Sequence, residues 1–363
     1  MRLILRILTA IFILNILAIL SVILLGQQSS NSVIAYAISE TVRDSSVQLI
    51  DTRTGHTINL GNDVGEGFII ARSPMWSPDG ERIAFWTIHN RSNSLAFEIE
   101  LDSYTITNLT EAYDYFSMPV YGANNQALYA PVPTASNNPI FLVNETYPNG
   151  EQIIASTMSM PQWSPDGRYI AYLNIYQDLE TGETLSSGLN FQDIDLYILD
   201  TQTSETINYT SEFDNVTMPF WSPDGTQIAF MRATQLNSGK IYLLELATGE
   251  IEEIPTDTNA VGNLVWSPDA NYIAFTSTQA GNGNETNGEV MILDMRSYEM
   301  QNISQAEFYD TEPTWSPDSQ FLAFVSRRDG QQNDIYIANI ATGELRQLTY
   351  TSANEGQPFW RPR

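Results

Sequence analysis

A five-residue phrase recurs along most of the chain: Trp76-Ser77-Pro78-Asp79-Gly80, Trp163-Ser164-Pro165-Asp166-Gly167 and Trp221-Ser222-Pro223-Asp224-Gly225. It changes at its last position in Trp266-Ser267-Pro268-Asp269-Ala270 and Trp315-Ser316-Pro317-Asp318-Ser319. Weaker copies stand at Tyr121-Gly122-Ala123-Asn124-Asn125 and Trp360-Arg361-Pro362. The marker aromatics lie 45, 42, 58, 45, 49 and 45 residues apart. That period points to the blades of a propeller rather than to helical repeats.

Each phrase is followed by a β-prone triplet: Ile83-Ala84-Phe85, Ile170-Ala171-Tyr172, Ile228-Ala229-Phe230, Ile273-Ala274-Phe275 and Leu322-Ala323-Phe324. Leu128-Tyr129-Ala130 holds the same offset from Tyr121, and Ile34-Ala35-Tyr36 precedes the first Trp phrase. A second apolar run follows, as in Leu196-Tyr197-Ile198-Leu199-Asp200, and then a turn such as Ala247-Thr248-Gly249-Glu250. An outer strand carries residues such as Leu345 and Leu348. With the strand that ends at the Trp, this makes four short antiparallel strands per unit, the plan of a propeller blade.

The phrase itself has a mechanical reading. Pro presets φ near about −65° at the second turn position, Asp suits the third, and Gly accepts the left-handed conformation leading into the next strand. Trp76, Trp163, Trp221, Trp266, Trp315 and Trp360 offer wide apolar faces for packing between sheets. These residues, with Asp79, Asp166, Asp224, Asp269 and Asp318, are therefore assigned to structure rather than chemistry. Ala270 and Ser319 replace the Gly, so those two turns are either strained by roughly 1 kcal/mol or of another type.

The triplets number seven, and the chain starts midway through a repeat and ends on Pro358-Phe359-Trp360, the strand the first unit lacks. The expected fold is an all-β, seven-bladed propeller over residues 33–363, closed by pairing its N- and C-terminal strands so that no sheet edge stays exposed.

Arg2 and Arg6 precede an apolar run from Ile7 to Leu25, whose 19 residues come close to the roughly 20 needed to span a bilayer. Residues 1–26 are thus expected to form an uncleaved transmembrane signal anchor and 27–32 a short linker. The two arginines place the N-terminus in the cytoplasm and the propeller outside it, in the periplasm or at the cell surface. The chain carries 43 acidic against 16 basic residues, a net charge of −27, and Lys240 is its one lysine. Such a surface repels nucleic acid. With no Cys, no disulfide supports the fold, and His56 and His89 alone make histidine-rich metal sites unpromising.

The Trp-Ser-Pro-Asp-Gly phrase followed by Ile-Ala-Phe resembles the TolB-type β-propeller repeat, which also occurs in propellers of some prolyl oligopeptidase and dipeptidyl-peptidase relatives. The resemblance covers essentially everything after residue 32. It implies an extracytoplasmic, mainly bacterial interaction module that binds protein partners. The periplasmic TolB protein carries an additional N-terminal domain beside its propeller, for which this sequence is expected to have no room.

Loops between blades carry an aromatic beside an acid: Tyr113-Asp114-Tyr115, Phe213-Asp214 and Phe308-Tyr309-Asp310. These are the candidate partner contacts, forming an acidic face. Converging carboxylates there could also hold Ca²⁺, which favours oxygen ligands, although no Asp-x-Asp-x-Asp-Gly loop is present. No catalytic, cofactor or metal residue is assigned. No Gly-x-Ser-x-Gly elbow of a hydrolase is found. The expected function is a non-enzymatic, monomeric protein-binding or scaffolding module; the alternative is a metal-dependent hydrolase or lyase with its site at the central channel.

Overall fold

Each Trp phrase ends one strand and turns into the next, and the computed structural model shows the resulting units directly. Its described residues are 32–41, 44–60, 70–89, 93–113, 119–123, 126–129, 139–144, 146, 150–155, 161–175, 194–213, 215–235, 238–256, 260–277, 288–305, 309–328 and 332–362. In the second blade the strands are Ile70–Trp76, Arg82–His89, Asn93–Glu100 and Thr105–Asn108, each antiparallel to the one before. Seven such four-stranded blades account for the strands of the described residues. Single bridges, Ser45 to Ile70 and Gly239 to Ala260, join the first blade to the second and the fifth to the sixth.

The first blade is made from both ends of the ring. Its innermost strand, Asn354–Trp360, pairs antiparallel with Val33–Thr41 through Ile34 opposite Trp360 and Ala35 opposite Phe359. Asp44–Asp51 and Thr57–Asn59 complete it.

Alternation along the second strand explains the triplet. Ile34 and Tyr36 face the seventh blade, in a cluster with Ile335, Ile337 and Trp360, while Ala35 faces the second blade with Ile83 and Phe85. Both faces of each sheet are therefore covered, and near-continuous apolar runs replace the half-polar pattern of a one-sided sheet.

The Trp side chains do more than fill space. Each indole Nε1 donates to the backbone carbonyl just before the marker aromatic of the preceding blade: Trp76 to Phe359 (3.0 Å), Trp163 to Val120 (3.1 Å) and Trp221 to Gln162 (3.3 Å). Trp266 reaches Phe220 (3.3 Å), Trp315 reaches Val265 (3.2 Å) and Trp360 reaches Thr314 (3.1 Å). The belt runs round the ring and changes only at Tyr121, whose hydroxyl donates to Glu98 instead.

Ser and Asp of the phrase are equally committed. In all five full copies the Ser hydroxyl donates to the Asp Oδ1, as in Ser164 to Asp166 (2.6 Å), and accepts the amide five residues on, as from Tyr169 (2.8 Å). The same Oδ1 accepts the amide two residues further, as from Arg168 (3.0 Å). Ala270 and Ser319 keep the left-handed φ of +60° each, so the turn type is retained and its backbone strain accepted.

Turns after the first and third strands define the lower face of the ring. Connections after the second and fourth strands define the upper face. Among the described residues no helix is long and apolar enough to cross a membrane, and the expected anchor, residues 1–26, lies outside them.

Candidate functional site

First and third strands of a blade run in the same direction, so their opening residues lie together at the upper face. In the sixth to seventh and the seventh to first seams those openings carry buried acids. Asp310 begins the inner strand Asp310–Trp315 of the seventh blade, beside Glu289, which begins Glu289–Asp294 of the sixth. Glu355, second residue of Asn354–Trp360, stands beside Asp334, which begins Asp334–Asn339.

All four acids are buried. Asp310 is 0 % exposed; burial pushes its carboxyl up to about 6, opposed by Ser326 and by Arg328, whose Nη2 lies 3.7 Å away, and reinforced by Glu289. Ser304 donates to Glu289 Oε2 at 2.6 Å. Glu355 is 1 % exposed; burial pushes it up to about 7, with Thr351 donating to it and Asp334 adding like charge. A carboxylate beside a carboxylate in a dry seam favours one shared proton. Other seams avoid the clash: Asp195, second residue of Ile194–Asp200, accepts from Asn208 (2.8 Å) and the next blade's inner strand opens on the apolar Val216, while Lys240 donates to the Thr256 carbonyl (2.9 Å).

Below these acids, three residues before the Trp, the inner strand bulges. Ser73, Asn263, Glu312 and Gln357 adopt left-handed φ values of 53°, 57°, 55° and 52°. The bulge side chains reach from blade to blade around the channel. Glu312 accepts the Gln357 amide (2.6 Å), Gln357 accepts the Ser73 amide (2.6 Å), and Asn263 donates to Thr311 (3.0 Å).

The predicted contact residues separate. Tyr309 is 41 % exposed on the upper face, as a contact residue would be. Its neighbour Asp310 is not: it lies in the seam, because the opening residue of an inner strand is covered by the blade before it, and it cannot belong to an outward acidic surface. Phe213 packs edge-on against Tyr242 (5.6 Å) and Phe230 (6.2 Å), with the Arg232 guanidinium 5.7 Å from its ring centre. It closes the end of its blade. Tyr113 ends the short helix Leu109–Tyr113, while Asp114, Tyr115, Asp214 and Phe308 lie outside the described residues. Among the described residues no group of three or more Asp, Glu or His side chains converges as a metal site would require.

Of the buried seam acids, sequence reasoning picked out Asp310 as a surface contact and missed Glu289, Asp334 and Glu355. Their signal was an acid five residues before the Trp, at Asp310 and Glu355, with an acid opening the preceding blade's third strand.

A family model described as the TolB beta propeller domain matches residues 147–283 and 184–363. No curated protein matches the chain. Among solved structures the chain is similar to TolB from Acinetobacter baumannii, at 16% identity and a TM-score of 0.57, covering 92% of this chain and 67% of that one. It is also similar to an oligogalacturonate lyase from Vibrio parahaemolyticus, at 16% identity and a TM-score of 0.58, covering 82% and 83% of the two chains. Acylaminoacyl peptidase from Pyrococcus horikoshii gives 14% identity and a TM-score of 0.62, over 89% of this chain and 52% of that one. At these identities the likeness is one of fold, and the chain spans about half the length of the peptidase.

Proposed function

We propose that this chain, which belongs to the TolB β-propeller domain family, is a membrane-anchored binding module whose propeller stands outside the cytoplasm and presents its upper face to a protein partner. The observation that carries this reading is where the repeat spends its polar groups. Indole N–H, Ser hydroxyl and Asp carboxylate of the phrase are all bonded within the ring, which leaves a stiff scaffold whose sequence variety lies in the upper connections. The Ile7–Leu25 run and its two arginines support the anchor and its orientation.

One observation favours the alternative, a propeller enzyme. Asp310 and Glu355 have carboxyl groups raised toward neutrality, as catalytic acids often do. Both are buried in seams, however, at 0 % and 1 % exposure, and present no surface to a substrate. Structural carboxyl pairs account for the same shifts.

The test is capture of envelope proteins by the full chain in detergent, followed by the same capture with Tyr309→Ala and Arg327→Ala, two exposed positions of the upper face. Loss of the same partner from both variants, with unchanged melting, supports the reading. Undiminished capture by the double variant, or metal-dependent turnover by the parent chain, would count against it.

A further inference from the structure

In six of the blades, the turn after the third strand places a residue at a left-handed φ: Gly55, Ser204, Gly249, Tyr298 and Gly343 each close it with an amide donating four residues back, and Tyr104 holds the same place. On the lower face a side chain at this position can reach the outer strand of the preceding blade, although at Gly55 and Gly343 it would meet nothing within 4 Å. Where it is tyrosine, it covers that strand. Tyr104 packs against the cluster containing Ile58 of the first blade, which is 7 % exposed. Tyr298 packs against the fifth and sixth blades and donates to Glu252 at 3.3 Å. Between the seventh and first blades, where the turn residue is Gly55, Arg346 reaches across to the Thr52 carbonyl instead (2.7 Å).

Between the fourth and fifth blades none of these devices operates. The turn residue is Gly249, and a side chain built there would point toward the Tyr209 ring, 3.8 Å away. Ile207 occupies the register position of Ile58 on the outer strand Thr206–Asn208, yet is 44 % exposed. The seam holds a groove of about 390 Å³, within the roughly 300–1,000 Å³ range of ligand sites. Ile207, Tyr209 and Leu246 make its apolar wall, and Asp200, Glu205 and Glu245 add carboxylates. Its wall already tolerates a cation: the Arg168 guanidinium lies 4.8 Å from the Tyr169 ring centre and donates to Asp200 at 2.7 Å.

We infer that this groove receives an aromatic side chain from a partner segment, flanked by Lys or Arg, in the place that Tyr104 and Tyr298 fill from within the chain at the equivalent seams. The incoming aromatic enters where the propeller's own tyrosine is missing, and the flanking cations meet Glu205 and Glu245 under the pull of a chain of net charge −27. The site lies on the lower face and does not depend on the upper-face reading above.

The test uses the full chain in detergent micelles and a fluorescein-labelled peptide, Gly-Arg-Tyr-Lys-Gly, followed by fluorescence polarisation at low salt. Saturable binding is expected, at least tenfold weaker for Gly-Arg-Ser-Lys-Gly and for Gly-Glu-Tyr-Glu-Gly. Gly249→Tyr supplies the missing ring in cis and should weaken peptide binding at least tenfold. Ile207→Gln should do the same without touching the turn, and decides the matter if Gly249→Tyr melts early. Absence of binding to the parent chain, equal binding of the serine peptide, or undiminished binding by both variants overturns the inference. So does a dimer, seen by light scattering, that Gly249→Tyr converts to monomer, since a second copy would then be the occupant. Tyr309→Ala should leave peptide binding unchanged, which separates this outcome from that of the upper-face test.

Discussion

Replacing Trp360 by Phe isolates the indole belt at the point where the ring closes. The substitution keeps an aromatic ring in a position that is 4 % exposed but removes the donor to the Thr314 carbonyl, 3.1 Å away. Leaving a buried carbonyl without its partner costs about 1–3 kcal/mol. The lost part of the indole is on the order of 40 Å² of buried apolar surface, or about 1 kcal/mol at 25 cal/mol per Å². The sum is about 2–4 kcal/mol. Unfolding entropy scales at about 2.1 cal/mol/K per residue, so for a ring of roughly 330 residues the melting temperature should fall by about 3–6 °C. Far-UV circular dichroism is the readout, because it does not depend on the Trp being replaced. Trp315→Phe should give a similar shift, since its indole makes the same bond to Val265 at 3.2 Å. Phe359→Ala is the control: its carbonyl still receives Trp76, its ring is partly exposed, and its cost should stay under about 1.5 kcal/mol. A shift below about 1 °C for Trp360→Phe, or one no larger than that of Phe359→Ala, would refute the belt as a source of stability.

Three further outcomes follow from the same geometry. Ala270→Gly relieves a left-handed alanine at φ 60° and should stabilise the ring by about 0.5–1 kcal/mol, measured as a raised melting temperature; a lowered one would contradict the strain argument. Glu355 and Asp310 hold protons in the folded state up to about pH 7 and about pH 6, above the carboxylate values of the unfolded chain, so their contribution is present at low pH and lost as pH rises through those values. The melting temperature should therefore fall from about pH 4 to about pH 7, and Glu355→Gln should flatten that fall; an unchanged slope in the variant would show that the pair does not share a proton. Glu312→Ala leaves the Gln357 amide without its acceptor and should cost about 1–3 kcal/mol in urea unfolding, whereas no measurable change would mean that water replaces the bond.

The fold was legible because its signal is carried by residues whose reason is local. Pro and Gly in the turn, the Ile-Ala-Phe alternation and the partial repeats at both ends each dictate one step, and together they set seven blades and the pairing of Ile34 with Trp360. What the indoles bond to was not legible, because each acceptor is a backbone carbonyl 43 to 59 residues away, or 283 for Trp76 across the closure of the ring. Nor were the bulges at Ser73, Asn263, Glu312 and Gln357: none is glycine, so nothing in the sequence announces a positive φ. The candidate site was half legible. An aromatic beside an acid singled out Tyr309, which lies exposed, but the opening residue of the inner strand is covered by the blade before it, and Asp310 became a seam acid. The open groove beside Gly249 could be read only against Tyr104 and Tyr298 at the same turn in other blades, once the turns were known to be equivalent.

The strand that completes the first blade has a consequence for how the protein is made. Val33–Thr41 leaves the ribosome early, but its partner Asn354–Trp360 is more than three hundred residues behind it. At translation rates of roughly 5–20 residues per second, that interval lasts roughly 15–65 s. Throughout it a strand of mainly apolar residues has an unsatisfied edge, able to pair with any neighbour carrying a matching one. The other blades can form in order of synthesis, so a near-complete but open ring is the species most exposed to mispairing. The seam that seals the ring is thus also the last contact available to it, and the success of biogenesis rests on how well the nascent chain shields Val33–Thr41 while it waits.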